Sequence, residues 1–351
     1  MLEWYFWLLI SIAILVFLII LRCIFNGPRT NLIPKNFEEK IIIVTGSNTG
    51  IGKITAIELL KKGAYVVFGA RNEEKTLQII NSLPDNLKDR ALYIRLDLSS
   101  FSSIQNFTEI FKSKFNKLDI LINNAGGVFD VLSFSENIEH TTITNTIGPI
   151  CLTALLMDYL TISQNGKVIN VSSRAHNFVK QKQLKYLTDS FELDNNNIKE
   201  NFKGWDLYSL SKIGNIFYTK FLSDNYDKIK SVSVHPGVVN SDFFSVKRSE
   251  LKILKCLKVF FYPIMWFFFK DSEMGAQTQL HCAYLEYNEM NSGAYFNNCK
   301  VEKLDEFAES RENRDMFMHF VKNMVMKNWG DNLPNQIRDH LNILGKNNFV
   351  N

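Results

Sequence analysis

Residues 41–52 read IIIVTGSNTGIG, and this stretch decides the fold. Its first part is a β-branched apolar run of the length expected for a buried strand. Its second part has the spacing Gly-x-x-x-Gly-x-Gly, rather than Gly-x-Gly-x-x-Gly, and opens a segment of helical periodicity. Glycines at a turn are often only structural. Between a strand and a helix they favour a dinucleotide-binding loop, because the backbone approaches a pyrophosphate closely and the helix N-terminus attracts it. The predicted loop residues are Gly46, Ser47, Asn48, Thr49, Gly50, Ile51 and Gly52.

Short apolar runs of this kind recur along the chain and alternate with longer periodic segments. Strands that are apolar on both faces and joined by helical crossovers form a parallel sheet. The predicted fold class is therefore α/β, a Rossmann-type doubly wound parallel sheet, preceded by a transmembrane helix. The Asn-rich residues 183–206 are expected to be a solvated surface insertion. The predicted strands are 41–45, 65–69, 91–96, 120–123, 167–171 and 231–235.

The N-terminus predicts a membrane anchor. Between Trp4 and Leu21 the only polar side chain is Ser11, and a helix of this length reaches about 27 Å, close to the thickness of the hydrocarbon layer. A cleaved signal peptide is the alternative, but Glu3 precedes the run and no small-residue cleavage site follows it. Basic residues after the run place the remainder of the chain in the cytoplasm by the positive-inside rule.

These interpretations divide the chain into an anchor (1–25), a linker (26–39), a dinucleotide-binding catalytic domain (40–325) that includes an apolar lid (246–272), and a peripheral tail (326–351).

Composition excludes several other classes of protein. The 351 residues are 46% hydrophobic and 22% charged, which is ordinary globular usage. The net charge of +4 gives no support for a nucleic-acid partner, and the five widely spaced cysteines form no disulfide or zinc pattern, so no metal site is expected.

The second predicted strand ends at Arg71, where an enzyme specific for NAD would carry an acidic residue for the ribose hydroxyl. A guanidinium pairs well with a 2′-phosphate, so NADP(H) is favoured over NAD(H), with a merely solvated arginine as the alternative. Asp97 and Leu98 close the third strand, where Asp97 is expected to contact adenine or to cap the next helix. Asn124, Ala125 and Gly126 follow the fourth strand, and their small size leaves room for a cofactor.

The sharpest catalytic signal is Tyr208 with Lys212, which lie four residues apart on one face of a predicted helix. A nearby ammonium, together with the charge of an oxidised nicotinamide, is expected to lower the pKa of the phenol, so that it exchanges a proton with a carbonyl or alcohol oxygen. The pair alone is a weak signal, but its surroundings support it. Ser172 and Ser173 end the fifth strand, Asn145 follows the fourth, and a Pro-Gly turn follows the sixth, with Pro236, Gly237, Val239 and Ser241 as candidate nicotinamide contacts.

Together these motifs resemble the short-chain dehydrogenase/reductase family over about residues 38–325. The resemblance is closest to its membrane-anchored, retinol dehydrogenase-like subgroup, and it extends to the residues 275–278, 292–293 and 295–296. The resemblance implies that Tyr208 is the acid/base, that Lys212 tunes it and binds the ribose, that Ser173 polarises the substrate oxygen, and that Asn145 holds a water. Asn145 departs from the family pattern in its surroundings, because Pro149 interrupts its predicted helix. Ser241 stands where many members have threonine, and the choice of Ser173 over Ser172 follows the motif alone.

The expected reaction is hydride transfer between NADP(H) and a lipophilic aldehyde or ketone of retinoid, steroid or fatty type, with Tyr208 as proton donor. A non-catalytic dinucleotide sensor or scaffold at a membrane is the alternative, which the intact Tyr208, Lys212 and Ser173 disfavour. The segment 251–269 is basic and aromatic, and its uncharged part, 259–269, has only eleven residues, which is too short to span a bilayer. It is expected to be a lid that faces the membrane, with a buried core or oligomer helix as the alternative. The organelle is expected to be the endoplasmic reticulum, and the oligomeric state stays open, a homodimer included.

Overall fold

The structure is a computed structural model that describes residues 2–34, 37–129, 133–189, 201–239 and 269–346. Its main sheet has eight strands in the order β10-β9-β8-β7-β4-β1-β2-β3, and every neighbouring pair is parallel except β10 with β9. A separate two-stranded ribbon joins β5 to β6. The strands are β1 (Ile41–Thr45), β2 (Tyr65–Ala70), β3 (Ala91–Arg95), β4 (Ile120–Asn123), β5 (Phe134–Ser135), β6 (Ile138–Glu139), β7 (Gly166–Val171), β8 (Ile229–His235), β9 (Tyr295–Asn297) and β10 (Lys300–Val301).

Helices cover both faces of this sheet, so the predicted doubly wound α/β fold is confirmed. Neighbouring residues of one strand show why both faces are apolar: Leu121 packs into the core with Phe107 and Phe217, whereas Ile122 packs into the opposite core with Leu59. A π-helical turn spans Ile143–Ile147 and a 3-10 helix spans Arg174–Phe178. The α-helices are Leu2–Asn26, Gly50–Lys61, Glu73–Asn81, Asp85–Lys88, Phe101–Lys114, His140–Thr142, Gly148–Ile162, Gln181–Asp189, Gly204–Asn225, Ser272–Tyr284, Glu306–Glu309, Arg311–Trp329 and Asn335–Lys346.

The order of strands sets the position of the site. The chain runs outward from β1 through β2 to β3, and then returns to β4 on the other side of β1. Such a switch in direction opens a crevice at the carboxyl ends of the strands, beside β1 and β4. The glycine loop after β1, the residues after β4 and the serines after β7 all lie at these ends.

The N-terminal helix Leu2–Asn26 is a candidate membrane span. Its segment Trp4–Ile24 has a mean hydropathy of 2.8 and is not buried by the protein. The segment His140–Ile162 is also long and apolar, with a mean hydropathy of 1.2, but 89% of it is buried inside the protein. That second segment is therefore a core helix of the domain, and the sequence prediction of one N-terminal anchor agrees with this difference.

The residues after the anchor pack on the domain, although the sequence suggested only a linker. Arg22 Nη1 donates to the carbonyl oxygen of Phe269 at 2.6 Å. The N–H of Thr30 donates to Gln277 Oε1 at 3.0 Å, and its hydroxyl lies 3.2 Å from Nδ1 of His281. The candidate membrane helix thus contacts the domain through Arg22, and the segment after it is bonded to the helix Ser272–Tyr284 through Thr30.

Two further sequence interpretations were wrong. Residues 183–206 are not one solvated loop: Leu184 and Leu187 are buried in the helix Gln181–Asp189, and Phe202 is buried as well. Residues 326–351 are not a peripheral tail, because the helix Asn335–Lys346 buries one apolar face, including Ile337, in the core. Polar composition hid both helices, since each exposes one face and buries the other.

Candidate active site

Tyr208, Lys212 and Ser173 meet at the carboxyl edge of the sheet. Tyr208 and Lys212 lie on the buried face of the helix Gly204–Asn225, and Nζ of Lys212 is 5.5 Å from the centroid of the Tyr208 ring. Lys212 Nζ donates to the carbonyl oxygen of Val171, at the end of β7, at 3.0 Å. The side chain of Ser173, just beyond β7, hydrogen-bonds Tyr208. The three residues that the sequence selected therefore form one cluster.

Burial controls the protonation of this cluster in the protein by itself. Burial raises the pKa of Tyr208 to about 12, although the Ser173 hydrogen bond acts in the lowering direction. Burial also lowers the pKa of Lys212 to about 8. Desolvation disfavours both charged forms, so burial sets these directions in the protein by itself. The lowering expected from Lys212 together with an oxidised nicotinamide stays a prediction. The folded chain presents Tyr208 as a neutral phenol.

The two adjacent serines have different surroundings. Ser172 is buried, and its hydroxyl donates to the carbonyl oxygen of Lys212 at 2.7 Å. Ser173 is half-buried, contacts Tyr208, and accepts from the N–H of Ala175 at 3.2 Å as the cap of the 3-10 helix. Of the two, Ser173 is thus the serine beside the Tyr208 side chain, while Ser172 joins β7 to the Tyr208 helix.

Asn145 lies in the π-helical turn Ile143–Ile147. Pro149 has no N–H to donate to the carbonyl of Asn145, four residues back, and in an α-helix its ring would collide with that carbonyl. A π-helical turn widens the helix at this point. The interruption that Pro149 predicted is therefore a π-helical turn, followed directly by the helix Gly148–Ile162.

The amide of Asn145 is bonded to the chain on three sides. Its Oδ1 accepts from the N–H of Gly127 at 3.0 Å, and its Nδ2 donates to the Gly127 carbonyl at 2.9 Å and to Ser211 Oγ at 3.1 Å. A Cβ on Gly126 would lie 3.0 Å from Asn145 Oδ1 and 3.3 Å from Lys212 Nζ. Asn145 therefore fixes the loop after β4 against the Tyr208 helix.

The glycine loop is closed tightly on the end of β4. Gly46 adopts a φ of +66°, its N–H donates to the carbonyl of Gly69 at 2.7 Å, and a Cβ on it would lie 2.9 Å from Cα of Ala125. A Cβ on Gly52 would overlap the carbonyl oxygen of Gly46 and Nδ2 of Asn124. Both positions exclude a larger side chain, which leaves an open backbone cradle over the sheet edge.

Side-chain hydrogen bonds hold the two halves of this cradle together. Thr45 Oγ1 accepts from the N–H groups of Asn124 and Ala125, each at 3.0 Å, and Asn124 Nδ2 donates to the Thr45 carbonyl at 2.8 Å. Asn124, Ala125 and Gly126 remain partly exposed along the crevice. Asn48, Thr49, Gly50 and Ile51 form the half-buried rim of the loop, and Gly50 has a φ of +51°.

The loop also holds a buried polar atom without a partner. Ser47 is fully buried, and its Oγ makes no hydrogen bond to any residue that the structure describes. Such a hydroxyl is costly unless something bonds to it. A phosphate oxygen seated in the cradle would accept this hydrogen bond, so the residues present fit a dinucleotide.

The predicted adenosine end of the cradle carries one cation and one carboxylate. Arg71 is exposed. The pKa of the nearby His140 is lowered mainly by burial and also by the charge of Arg71, whereas the charge of Asp97 raises it. Asp97 Oδ1 accepts from the N–H of Ser99 at 3.0 Å and from its hydroxyl at 2.7 Å. Asp97 therefore orders the turn before the next helix, while Leu98 is buried.

Pro236, Gly237 and Val239 extend from β8 beside the same edge. Gly237 has a φ of +91°, and a Cβ on it would lie 2.6 Å from Cδ of Lys270. Val239 pairs with Lys270 through an isolated bridge, and a Cβ on Gly275 would lie 2.7 Å from Val239 Cγ2. Ser241 and most of the predicted lid 246–272 lie outside the described residues, which resume at 269.

Buried side chains outside the predicted set of site residues support the site. Asn123 Nδ2 donates to Asn170 Oδ1 at 2.9 Å, which ties β4 to β7, and Asn170 donates to Thr219 on the Tyr208 helix at 2.9 Å. Gln279 donates to Thr55 in the helix after the glycine loop. An asparagine at each strand end was the available signal for the first pair. Across the described part of the chain, no group of three or more His, Cys, Asp or Glu side chains is placed to hold a metal ion.

Comparison with known proteins agrees with this geometry. The family model described as short chain dehydrogenase matches residues 40–188. Human retinol dehydrogenase 12 is 35% identical over 276 residues, covering 78% of this chain and 81% of the relative. The bovine dehydrogenase/reductase SDR family member 13 is 33% identical, covering 75% of this chain and 67% of the relative. Human retinol dehydrogenase 14 is 30% identical, covering 80% and 86%.

Solved structures show the same fold at lower identity. Salutaridine reductase from Papaver somniferum is 20% identical, with a TM-score of 0.55 over 74% of this chain and 99% of that one. An alcohol dehydrogenase from Thermococcus sibiricus, complexed with 5-hydroxy-NADP, is 15% identical, with a TM-score of 0.54 over 76% and 100%. The sequence relatives, the sheet order and the clustered Tyr208, Lys212 and Ser173 agree, and the chain belongs to the short-chain dehydrogenase/reductase family, in its retinol dehydrogenase-like subgroup, as an oxidoreductase acting on CH–OH groups.

Proposed function

We propose that this protein uses NADP(H) to interconvert a lipophilic aldehyde or ketone and its alcohol at a membrane, with Tyr208 as the general acid or base. The observation that carries the proposal is the hydrogen bond between Ser173 and Tyr208, with Lys212 Nζ 5.5 Å from the same ring. The cluster adjoins the glycine cradle through Gly126, whose added Cβ would lie 3.3 Å from Lys212 Nζ. A proton donor, a second hydroxyl and a cation thus border one crevice.

Each side chain has a separate task in this proposal. The nicotinamide, when bound, supplies two-electron chemistry as a hydride donor or acceptor. Ser173 holds the substrate oxygen beside Tyr208, and the neutral phenol donates its proton to a carbonyl oxygen. With a pKa of about 12, Tyr208 carries its proton in the folded chain by itself, as this donating step requires. Lys212 binds the ribose and brings its charge close to the phenol oxygen when the phenolate forms.

The preference for NADP(H) rests on Arg71. Its exposed guanidinium stands just after β2 and is close enough to His140 to lower the pKa of that imidazole. A guanidinium pairs bidentately with a phosphate, and no acidic residue occupies that position. A structural neighbour is itself complexed with 5-hydroxy-NADP, which supports the same cofactor class.

The lipophilic substrate class rests on two other features. The chain carries a candidate membrane span at Trp4–Ile24, and the relatives named retinol dehydrogenases act, by their names, on an apolar alcohol. Arg22 lies at the C-terminal end of the span and Arg29 follows it, and the positive-inside rule favours a cytosolic catalytic domain. We place the protein in the endoplasmic reticulum membrane on the same grounds.

Tyr208→Phe tests the proposal in the full chain, solubilised in detergent. We expect turnover of NADPH with a panel of aldehydes and ketones to fall at least about a hundredfold, because the proton donor is removed. NADPH affinity, measured by fluorescence titration, should change by less than about twofold, since the cradle is intact. Tyr65→Phe, a half-exposed tyrosine at the opposite end of β2, is the matched control. Retention of activity in Tyr208→Phe would refute the proposed role.

A further inference from the structure

Two exposed aromatic rings lie next to the catalytic cluster. Trp205 is 45% exposed and Phe178 is 62% exposed, although both are large apolar side chains. Their ring centroids are 6.4 Å apart, and the Trp205 centroid is 5.4 Å from that of Tyr208. Phe178, Trp205 and Tyr208 therefore form a continuous series of rings that leads from the buried phenol to the surface.

The backbone makes this series part of the site. Trp205 and Tyr208 are three residues apart on one helix and share a face. Phe178 ends the 3-10 helix that Ser173 caps. The Tyr208 hydroxyl thus has an exposed ring one helical turn away along its helix, and the Ser173 hydroxyl has one at the far end of the short 3-10 helix that it caps.

Exposing both rings to water is unfavourable in free energy, and packing within the domain gives no reason for it. Large apolar side chains gain free energy when they leave water, and the rings that form the core, such as Phe217 and Phe221, are buried. Flat unsaturated groups stack favourably on aromatic faces, beyond the gain from buried area. A substrate whose carbonyl oxygen reaches Ser173 and Tyr208 would lay the adjoining part of its chain near these rings.

We propose that Trp205 and Phe178 are specificity-determining residues, an inference that rests on the function proposed above. The two rings bind the part of the substrate next to the reacting carbonyl and select unsaturated over saturated carbonyl compounds. The two rings act on substrate binding, and Tyr208 and Ser173 act on the chemical step. The selectivity therefore resides in the Michaelis constant. A shared apolar surface would bind both classes of substrate equally, whereas a stacking surface distinguishes them.

The test compares a conjugated dienal with the saturated aldehyde of the same chain length, using the full chain in detergent. Trp205→Ala should raise the KM for the dienal about tenfold and the KM for the saturated aldehyde by less than about twofold, with kcat for both within about twofold. Phe178→Ala should act in the same direction, and Trp205→Phe should retain most of the preference. Ile162→Ala, an equally exposed apolar residue at the end of another helix, is the control and should change neither KM.

Equal effects on both aldehydes, or none, would overturn the proposal. A second readout keeps it separate from the proposed reaction: a non-reactive conjugated polyene should quench tryptophan fluorescence in the wild-type chain, and most of this quenching should vanish in Trp205→Phe. Loss of turnover with quenching retained would count against the reaction only. Unchanged quenching in Trp205→Phe would refute the binding role of Trp205, whatever the turnover.

Discussion

The hydroxyl of Tyr218 lies 3.1 Å from Nε2 of His340, and this contact joins the helix that carries Tyr208 and Lys212 to the last helix of the chain. On the other side of the imidazole, the hydroxyl of Tyr226 lies 2.6 Å from Nδ1. His340 is buried, and burial lowers its pKa to about 3. The helix Asn335–Lys346 is therefore fixed to the Tyr208 helix through a neutral histidine.

This arrangement predicts that acid weakens the fold. The pKa of His340 in the folded chain lies below its usual value. Below a pH of about 6.5, the unfolded chain therefore binds a proton at this histidine that the folded chain does not bind. The contribution of neutral His340 to the free energy of unfolding is complete above that pH and declines towards a pH of about 3. At pH 5 it is smaller by about 2 kcal/mol. His340→Gln should flatten the dependence of the free energy of unfolding on pH between about 4 and 7.

Tyr226→Phe is the control, because it keeps the ring stacked on His340 and removes one hydrogen bond. It should lower the free energy of unfolding by about 1 kcal/mol at every pH without changing the slope. Denaturant titrations of the full chain at several pH values measure both effects. An acid slope as steep in His340→Gln as in the wild type would show that other buried groups, such as His235, dominate it.

The glycine cradle predicts a strong effect from a single methyl group. Gly52→Ala would place a Cβ against the carbonyl oxygen of Gly46 and Nδ2 of Asn124, so the loop must shift away from β4. We expect the affinity for nicotinamide dinucleotides to fall by at least about a hundredfold, because the backbone N–H groups no longer converge. Calorimetric titration with NADPH measures the loss.

Gly127→Ala is the matched control for that change. A Cβ on Gly127 would lie 3.6 Å from the nearest heavy atom, Cζ of Phe129, which is an ordinary contact. Its N–H and carbonyl remain available to Asn145. Dinucleotide affinity should stay within about threefold of the wild type. An unchanged affinity in Gly52→Ala would mean that the loop does not bind the pyrophosphate.

The central part of the fold could be predicted from sequence because buried parallel strands leave uninterrupted apolar runs. β1 and β4 have the predicted bounds, whereas β8 begins two residues earlier, at Ile229 instead of Ser231. β9 was missed because a strand of only three residues, Tyr295–Asn297, carries no periodicity. The helix Asn335–Lys346 was missed because its apolar positions are spread among Asn, Asp and Arg.

The site was predictable to the extent that it depends on local spacing. Tyr208 and Lys212 meet because four residues make about one helical turn, and Ser173 follows its strand directly. The protonation of the pair was not predictable, because it depends on how deeply the surrounding helices bury Tyr208 and Lys212. Trp205 and Phe178 could not be paired from sequence either, since they come from separate elements.

The contacts of Thr30 predict that the residues after the anchor are protected. Thr30→Val removes the hydroxyl that lies 3.2 Å from His281 and keeps the N–H that donates to Gln277. Loss of about 1 kcal/mol should raise local opening about fivefold. Hydrogen exchange of residues 26–34 in the detergent-solubilised chain measures it.

Arg29→Ala supplies the comparison for Thr30→Val. The Arg29–Glu273 pair is 3.4 Å long, and its side chains are 67% and 61% exposed. Exposed pairs of this kind contribute little, about 0–1 kcal/mol, so exchange should change less than in Thr30→Val. Equal exchange in wild type and Thr30→Val would mean that the bonds to Thr30 do not hold this segment on the domain.

Arg71→Ala tests the cofactor preference by removing the cation at the end of β2. If Arg71 pairs with the 2′-phosphate, the KM for NADPH should rise about ten- to a hundredfold, and that for NADH by less than about twofold. The pKa of His140 should rise in the same variant, because Arg71 lowers it, and NMR titration of the imidazole measures this without turnover.

Lys62→Ala removes a positive charge at the far end of the helix after the glycine loop and should leave the KM for NADPH and the KM for NADH unchanged. Equal increases for NADPH and NADH would assign Arg71 to a part of the cofactor common to both, and a shift of His140 without any change in KM would leave Arg71 as a neighbour of the crevice that does not touch the cofactor.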